Sequence, residues 1–470
     1  MILPSLHPEP IRAVCERRRK LAFALTPRAI GLLLAGFLLL IPGFYVPRLS
    51  YAMPLWDGLV LLAALLDGLR LPQPGALRAE RNWSNAPALD SETGIELAIE
   101  NRGRVIVDCR IQDDLPPALA AEPVKARLMA FPRIPARVRY GVQPRERGDC
   151  ETGNLYLRYR SPLGLAERWA QAPLKQDVRI YPALKTGEEQ NIFLARSRQI
   201  ELELRQSRLR GLGRDFESLR EYRDGDDLRD VCWTATARRG SLVTRQYQTE
   251  RSQAVWIVLD CGRLMRSRDL GSGGLSGEHA EIAHSKLDHA CSTAVALAQL
   301  ALYSGDRVGL LAYGQTIQQR LLPGRGAAHL RQMIELLAQV RAETSEADHL
   351  RATAVLNRLQ PRRALVLWIT DLAETAMRPE VIDGATQLLH RHVLLFVAMA
   401  QPEVARIANS RPRNVDQMFR ATAAQEMAAR RERLLARLRE QGALTLDLEP
   451  ETLTAAVLNQ YLTVKERAMV

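Results

Sequence analysis

Apolar positions follow three patterns along this chain, and the first pattern is continuous. Residues 29–46 form an uncharged apolar run, and residues 51–69 form a second run that contains Asp57 and Asp67. A helix of about 20 apolar residues spans the hydrocarbon core of a bilayer. The two runs, joined by a short turn that contains proline, therefore predict a transmembrane helical hairpin within residues 1–70, after a short cytoplasmic stub.

Basic residues around these runs indicate the orientation of the hairpin. Five of them lie from Arg17 to Arg28 and others, such as Arg70 and Arg78, follow the second run, whereas Arg48 alone lies between the runs. The positive-inside rule then predicts two helices in the inner (cytoplasmic) membrane, with both termini cytoplasmic. A signal peptide or two buried helices of a soluble domain are the alternatives. A signal peptide is disfavoured because no clean cleavage site follows the first run.

The second pattern is a strict alternation in short runs, broken by Pro, Gly and Asn, over residues 71–182. The runs are residues 95–99, 105–111, 136–142, 154–159 and 178–181. Such spacing is typical of strands in a β-sandwich, so an immunoglobulin-like domain is expected here. The segment contains no histidine, and we expect a spacer or docking module without an active site.

In the third pattern, over residues 254–470, apolar runs alternate with helical patterns. The runs are residues 254–259, 308–313, 365–369, 393–399 and 443–448, and the helical stretches are residues 290–303, 329–340, 379–390, 416–440 and 451–467. This order predicts an α/β domain with a mainly parallel sheet and helices on both faces. Residues 183–253 are interpreted as a linker and a motif segment that packs on this domain.

Composition and charge exclude some classes of protein. The six cysteines include no close pair, which fits neither a zinc site nor a disulfide framework. The net charge is +12, but basic runs are few and aromatic residues make up only 5%, so no nucleic-acid partner is expected. Five arginines within residues 430–439 alternate with Ala and Leu and are interpreted as the solvated face of an amphipathic helix. Nothing in these patterns indicates the oligomeric state.

Two acidic residues, Asp260 and Asp371, follow the first and third predicted strands of the α/β domain. In open parallel sheets, ligands bind at the carboxyl ends of the strands. Carboxylates there can hold a hard cation such as Mg²⁺, but they can equally cap a helix or accept hydrogen bonds from loop amides. Both interpretations remain open from the residues alone.

A dense mixture of Arg, Asp and Trp precedes the first of these strands, over residues 219–245. Arginine guanidinium groups and carboxylates suit bidentate pairing, so the segment forms either an internal network or a partner-binding surface. The ring of Trp233 is expected to pack as a wedge in the core. The residues of interest are Arg220, Tyr222, Gly225, Asp226, Arg229, Trp233, Arg238 and Glu250.

These residues, followed by Asp260, Lys286 and Thr370-Asp371, resemble the family called domain of unknown function 58, the MoxR-associated proteins with a von Willebrand factor A-like domain. The resemblance implies a von Willebrand A-like (Rossmann-like) sheet. It also implies a non-enzymatic, membrane-anchored scaffold for protein–protein interaction. The implied partner is a MoxR-type AAA+ ATPase, with a chaperone-like part in assembling or activating protein complexes.

The resemblance also raises the question of whether the chain has a metal site. In von Willebrand A domains this site uses Asp-x-Ser-x-Ser, a Thr and a further Asp. Here Asp260 and Asp371 match, but Gly262 and Leu264 stand at the serine positions, and Asp348 is the acidic residue nearest the unclear Thr position. Two carboxylates without hydroxyl partners disfavour Mg²⁺, so we expect no cofactor.

An alternative from another class is a hydrolase or transferase that uses the strand-end aspartates and a histidine such as His289. The histidines form no motif, and the Gly-rich stretch of residues 271–277 lacks the lysine of a phosphate-binding loop. The scaffold is therefore the leading hypothesis.

Overall fold

The computed structural model describes residues 8–17, 23–39, 51–120, 123–183, 195–196, 215–223, 231–248, 253–268, 284–372 and 380–467. The chain divides into two compact units, residues 1–183 and residues 184–470. The first unit is built mainly from antiparallel strands, and the second from a mainly parallel sheet with helices.

Antiparallel strands with alternating buried and half-exposed residues build the first unit. They are β1 (Ile11–Val14), β2 (Glu16–Arg17), β3 (Phe23–Leu25), β4 (Leu77–Trp83), β5 (Thr93–Asn101), β6 (Val107–Asp113), β7 (Val124–Ala130), β8 (Ala136–Val142), β9 (Gly148–Thr152), β10 (Leu155–Arg160), β11 (Ala166–Ala172) and β12 (Gln176–Ile180). One sheet has the order β1-β4-β5-β8, and the other has β2-β11-β10-β6-β7 with β3 also on β11. The two sheets share one hydrophobic core.

The first three strands correct the predicted organisation of residues 1–70. That segment was expected to hold only a cytoplasmic stub and the hairpin, but β1 pairs with β4, placing Ile11 opposite Arg81. Strand β3 pairs with β11, placing Phe23 opposite Arg168. These strands are two to four residues long, too short for an alternating pattern to stand out in the sequence. The sandwich therefore begins before the apolar runs.

Two α-helices are described between β3 and β4, in the ranges 26–39 and 51–76. Helix α1 (Pro27–Gly36) is followed by one 3-10 turn, and helix α2 (Ala52–Arg70) has 19 residues and a mean hydropathy of 1.5 in its apolar window. Within the described part of the chain, α2 is the helix that is long and apolar enough to cross a membrane. Residues 40–50, which include the end of the first predicted span, lie outside the described residues.

Asp67, one of the two acidic residues of the second apolar run, lies in the last turn of α2. Its side chain is buried, and its carboxylate accepts hydrogen bonds from the Ser161 hydroxyl at 2.5 Å and from the amides of Leu165 and Ala166 at 3.1 and 3.0 Å. Helix α2 is therefore attached at its end to the loop between β10 and β11.

The second unit centres on a six-stranded sheet. Its strands are β15 (Ala254–Asp260), β16 (Arg307–Tyr313), β17 (Ile317–Gly324), β18 (Leu365–Thr370), β19 (Val393–Met399) and β20 (Leu444–Leu448). Its helices are α4 (Lys286–Tyr303), α5 (Gly326–Gln339), α6 (His349–Leu359), α7 (Glu380–Leu389), α8 (Pro402–Ala408), α9 (Val415–Glu440) and α10 (Leu453–Glu466). A hairpin of β13 (Asp215–Glu221) and β14 (Val243–Gln248), with α3 (Trp233–Arg239) between, precedes the sheet.

The sheet has the order β17-β16-β15-β18-β19-β20, and all neighbours are parallel except β16 and β17. Successive side chains of a strand point to opposite faces. Trp256 and Val258 of β15 join a buried cluster with α6, α7 and α9, while Val255 and Ile257 are equally buried and α4 contacts β15 and β16. Helices therefore cover both faces, as the α/β pattern predicts.

His392, between α7 and β19, gives a pH-dependent prediction. It is buried, and neither ring nitrogen has a hydrogen-bond partner among the described residues. Burial, and then the charge of Arg391, lower its pKa from 6.5 to about 4. Below pH 6.5 the His392 imidazole binds a proton in the unfolded chain but stays neutral in the folded chain. The free energy of unfolding therefore falls as the pH falls towards 4.

We expect His392→Leu to reduce this acid destabilisation by about 1 kcal/mol between about pH 7 and about pH 5. Urea unfolding of both proteins at the two pH values measures the difference. Equal losses of stability in wild type and variant would show that His392 is protonated in the folded protein.

Candidate functional site

The candidate site lies where the strand order of the second unit reverses. In chain order the six-stranded sheet reads 3-2-1-4-5-6, so the first strand, β15, lies between β16 and β18. In such sheets the connections on the two sides of the reversal leave a crevice at the carboxyl ends of the strands. Asp260 ends β15, and Thr370 and Asp371 end and follow β18. The fold therefore brings both predicted aspartates to this edge.

Asp260 is buried and engaged by neighbouring protein groups. Its carboxylate accepts a hydrogen bond from the Thr370 hydroxyl at 2.6 Å and another from the Gly262 amide at 2.7 Å. Burial raises the pKa of Asp260, and the opposing influences of His349 and of the two donors are weaker. The site therefore favours the neutral carboxyl more than water does.

An aromatic group lies beside Asp260. The Trp368 indole donates to the Tyr313 hydroxyl at 2.7 Å, and this hydroxyl is 2.9 Å from Nδ1 of His349. The Tyr313 hydroxyl oxygen accepts a hydrogen bond from Trp368, so the hydroxyl proton is available to donate to Nδ1 of His349. This arrangement fits a neutral imidazole that carries its proton on Nε2. Burial lowers the pKa of His349, although Asp260 opposes the shift. The histidine that interacts with Asp260 is thus His349, whereas the enzyme hypothesis named His289.

Asp371 is the centre of a buried ionic network. The Lys286 ammonium, at the first position of α4, donates to its carboxylate at 2.7 Å, and the Gln401 amide donates at 3.2 Å. One terminal guanidinium nitrogen of Arg431 lies 3.6 Å from the other carboxylate oxygen, and the second pairs with Asp447 at 2.7 Å. Cationic side chains from α4 and α9 therefore neutralise Asp371, and the amide of Gln401, just after β19, adds a hydrogen bond.

Arg431 corrects an expectation about the arginines of residues 430–439. They were expected to form a solvated face, but the side chain of Arg431 is only 14% exposed and connects α9 to Asp371 and β20. Arg430 and Arg439, by contrast, pair with glutamates of the same helix and are more exposed. Helical spacing alone does not reveal which arginine of such a series faces inward.

Among the residues that the structure describes, those at this edge do not fit a Mg²⁺ site. Asp348, the third candidate ligand, caps helix α6, since its carboxylate accepts from the Arg351 amide at 2.8 Å. Ser345, near the unclear Thr position, donates its hydroxyl to Glu343 at 3.2 Å. Asp371 already binds a lysine ammonium, which repels a divalent cation. Mg²⁺ prefers six oxygen ligands in near-ideal octahedral geometry, and this donor set is poor in free oxygens.

The structure describes half of the motif residues upstream of β15. Arg220, Tyr222, Trp233 and Arg238 lie on or beside β13 and α3, whereas Gly225, Asp226, Arg229 and Glu250 lie outside the described residues. Trp233 begins α3 and is 66% exposed, so the prediction that it packs in the core is wrong. Arg238, in the last turn of α3, is exposed as well.

The sequence analysis did not place Lys286, His349, Gln401 or Arg431 at this edge of the sheet. Lys286 follows Ser285, which forms a capping box with Asp288. This motif marks the start of α4, whereas the predicted helical stretch began only at residue 290. His349 directly follows Asp348, which was named. Neither signal indicates that Lys286 approaches the end of β18 or that His349 approaches the end of β15. The two residues are more than 60 positions apart, and only the crossover connections between the strands bring them to this edge.

Comparison with known proteins gives one family and several distant relatives. The family described as Protein of unknown function DUF58 matches residues 218–427. The uncharacterized proteins Rv1480 of Mycobacterium tuberculosis and Mb1516 of Mycobacterium bovis are each 26% identical over 196 residues, which covers 41% of this chain and 56% of the relative. The match therefore spans about half of each relative's length.

A crystal structure of the conserved hypothetical protein BatB from Bacteroides thetaiotaomicron aligns at 13% identity with a TM-score of 0.29, covering 46% of this chain and 100% of that chain. A score this low carries no argument about the fold. The family match covers the motif segment, the strands β15 to β19 and both strand-end aspartates. Residues 218–427 of this chain are thus a DUF58 family domain.

Proposed function

We propose that this protein is a non-enzymatic, membrane-anchored scaffold for protein–protein interaction. Its partner is a MoxR-type AAA+ ATPase, and the pair assembles or activates a protein complex. The second unit is assigned a von Willebrand A-like fold, which the strand order 3-2-1-4-5-6 with one antiparallel edge strand supports. The client complex is left open.

The main support for this proposal is that both strand-end carboxylates are buried and bonded to other groups of the protein. Asp371 is 1% exposed and neutralised by Lys286 and Arg431, and Asp260 is 4% exposed and bound by Thr370 and Gly262. A general base or a metal ligand needs a carboxylate that can reach substrate or cation. Carboxylates already bonded within the protein are suited to holding the sheet edge rigid, which supports an adaptor over a hydrolase or transferase.

The path of the chain supports a hairpin in the membrane. Strand β3 ends at Leu25 just before α1, and β4 begins at Leu77 just after α2, and both strands belong to the first unit. A segment that leaves and re-enters one folded domain must cross a membrane an even number of times. Two crossings by residues 27–70, with both flanks cytoplasmic, are therefore proposed.

The exposed motif tryptophan supplies the first test. Trp233 lies in the family segment and is 66% exposed, and large aromatic residues dominate the binding energy of many protein interfaces. We expect Trp233→Ala to weaken binding of the ATPase about 30-fold or more, as for interface hot spots. The measurement is affinity capture of the full chain in detergent, with the ATPase quantified by mass spectrometry.

Phe419→Ala is the matched control. Phe419 lies on α9 of the same unit and is 67% exposed, but it does not belong to the motif segment. Retention of the ATPase by this variant and loss by Trp233→Ala would support the proposal. Capture of no AAA+ ATPase by the wild type would contradict it, and so would turnover of a small molecule that disappears in a folded Asp260→Asn variant.

A further inference from the structure

Three loops lie at the end of the first unit to which helix α2 is attached, and we call them the rim: residues 102–106, 131–135 and 161–165. Residues 102–106 connect β5 to β6, residues 131–135 connect β7 to β8, and residues 161–165 connect β10 to β11. The strand registers place these connections at one end of both sheets, because Leu77 pairs with Asn101 and Cys109 pairs with both Leu128 and Tyr159. The rim is therefore one surface of the sandwich.

Helix α2 is attached to this same end. The loop of residues 161–165 bonds Asp67 through Ser161 and Leu165. In the loop of residues 102–106, the Arg102 amide donates to the Ala76 carbonyl at 2.9 Å, and a side chain at Gly103 would come within 2.7 Å of Pro72. Pro72 and Ala76 directly follow α2. The chain therefore re-enters the sandwich from α2 beside these two loops.

Asn101 holds two rim loops in place. Its buried amide donates to the carbonyls of Val105 and Ala130 at 2.8 and 3.2 Å, and its side-chain oxygen accepts from the Gly103 amide at 2.8 Å. Its own carbonyl accepts from the Arg133 amide at 2.6 Å. The loops are thus tied to the strands, and the residues at their tips project in defined directions.

Large apolar side chains are exposed at these tips. Phe131 is 46% exposed, Ile134 61% and Leu163 61%. The apolar surface continues onto α2, where Leu66 is 48% and Leu69 68% exposed. Arg104 and Arg133 are exposed in the same loops. Loops with apolar tips and neighbouring arginines are suited to the interface of a bilayer. There the aromatic rings and aliphatic chains enter the headgroup region, and the arginine cations contact lipid phosphates.

We propose that the rim docks on the cytoplasmic face of the membrane and binds the headgroups of anionic phospholipids. Phe131, Ile134 and Leu163 enter the interfacial layer, and Arg104 and Arg133 contact lipid phosphates. The proposal rests on membrane insertion of α2, because insertion brings the rim to the lipid surface. A membrane is the favoured occupant because the exposed apolar surface of a helix able to span a bilayer runs directly into the rim.

Site-specific quenching in nanodiscs tests this arrangement. The full chain is reconstituted with headgroup-spin-labelled lipid, and a fluorophore is attached at Ile134→Cys. Gln143→Cys is the matched control, because Gln143 is an exposed residue at the opposite end of the same sandwich, about 30 Å away along a nine-residue strand. Five of the six native cysteines are buried and Cys150 is half-buried, so the labelled wild type gives the background.

We expect most of the fluorescence at position 134 to be lost and the fluorescence at position 143 to be retained. Arg104→Gln and Arg133→Gln should each weaken docking about fivefold in discs that contain anionic lipid, and less in neutral discs. Phe131→Ser should reduce quenching in both kinds of disc. Equal fluorescence at positions 134 and 143 would overturn the proposal.

Carbonate extraction of membranes from cells that express the full chain distinguishes a failure of rim docking from a failure of membrane insertion by α2. Release of the chain into the soluble fraction would contradict both the anchor and the rim. Retention in the membrane together with an unquenched position 134 would contradict the rim alone. Quenching that does not depend on anionic lipid or on either arginine would contradict the assignment of headgroup phosphates as the ligand.

Discussion

Replacing Arg81 by Met is expected to lower the free energy of unfolding of the first unit by about 3–5 kcal/mol. Arg81 and Asp113 are both fully buried and form a bidentate pair across the sandwich. The guanidinium also donates to the Thr152 hydroxyl at 2.9 Å and to the carbonyls of Leu174 and Gly153 at 2.7 and 3.2 Å. Methionine fills similar space but leaves Asp113 with a buried, uncompensated charge.

The effect can be measured by pulse proteolysis of the full chain in detergent across a urea titration. Arg139→Met is the control, since Arg139 pairs with Glu96 on the surface with a side chain that is 77% exposed. Exposed pairs of this kind contribute at most about 1 kcal/mol. If the two variants lost the same stability, Arg81 would not be the group that links the sheets.

The second large effect is expected for Lys286→Met in the second unit. Lys286 is 2% exposed and is 2.7 Å from Asp371. Its removal leaves Asp371 with the Gln401 amide and the more distant Arg431, so the loss of stability should be about 3 kcal/mol, at the lower end for a broken buried pair. Urea unfolding of the C-terminal unit, followed by protease resistance, measures this loss.

The double variant Lys286→Met with Asp371→Leu tests the reason for the loss. Replacing both partners of a buried pair with apolar groups is often neutral, because no charge remains without a partner. We therefore expect the double variant to regain at least half of the stability lost by Lys286→Met. A further loss of stability would mean that Asp371 is needed for Gln401 and Arg431 even without the lysine. Arg420→Met, which breaks an exposed pair with Asp416, is the surface control.

The candidate site divides into a part that the sequence predicted and a part that it did not. Asp260 and Asp371 were placed at neighbouring strand ends, because an apolar run that ends in Asp is visible within a few residues. Lys286, His349 and Arg431 could not be placed there, because each lies on a helix whose rotation and distance depend on packing. Asp348 was named as a candidate ligand, and the structure shows in addition that one of its carboxylate oxygens caps α6.

The pattern of apolar residues also could not show that the first short strands belong to the first unit. Residues Ile11–Val14 and Phe23–Leu25 precede the apolar runs, and nothing in so few residues distinguishes a strand from a cytoplasmic tail. Their partners, β4 and β11, lie more than 60 and 140 positions away. Trp233 was placed in the core from its residue type alone, whereas the fold leaves it on the surface.

The sequence by itself indicated most strands and helices of the second unit and the stretch that is apolar enough for a membrane, but it did not indicate β13, β14, β17, α3, α6 or α8. These properties follow from the spacing of apolar residues within a single element. Only the tertiary structure decided that Lys286 neutralises Asp371, that Arg431 faces inward and that three loops lie at the end of the sandwich to which α2 is attached. Such contacts join residues far apart in the chain, and their partners are set by strand order and helix packing, which no local pattern contains.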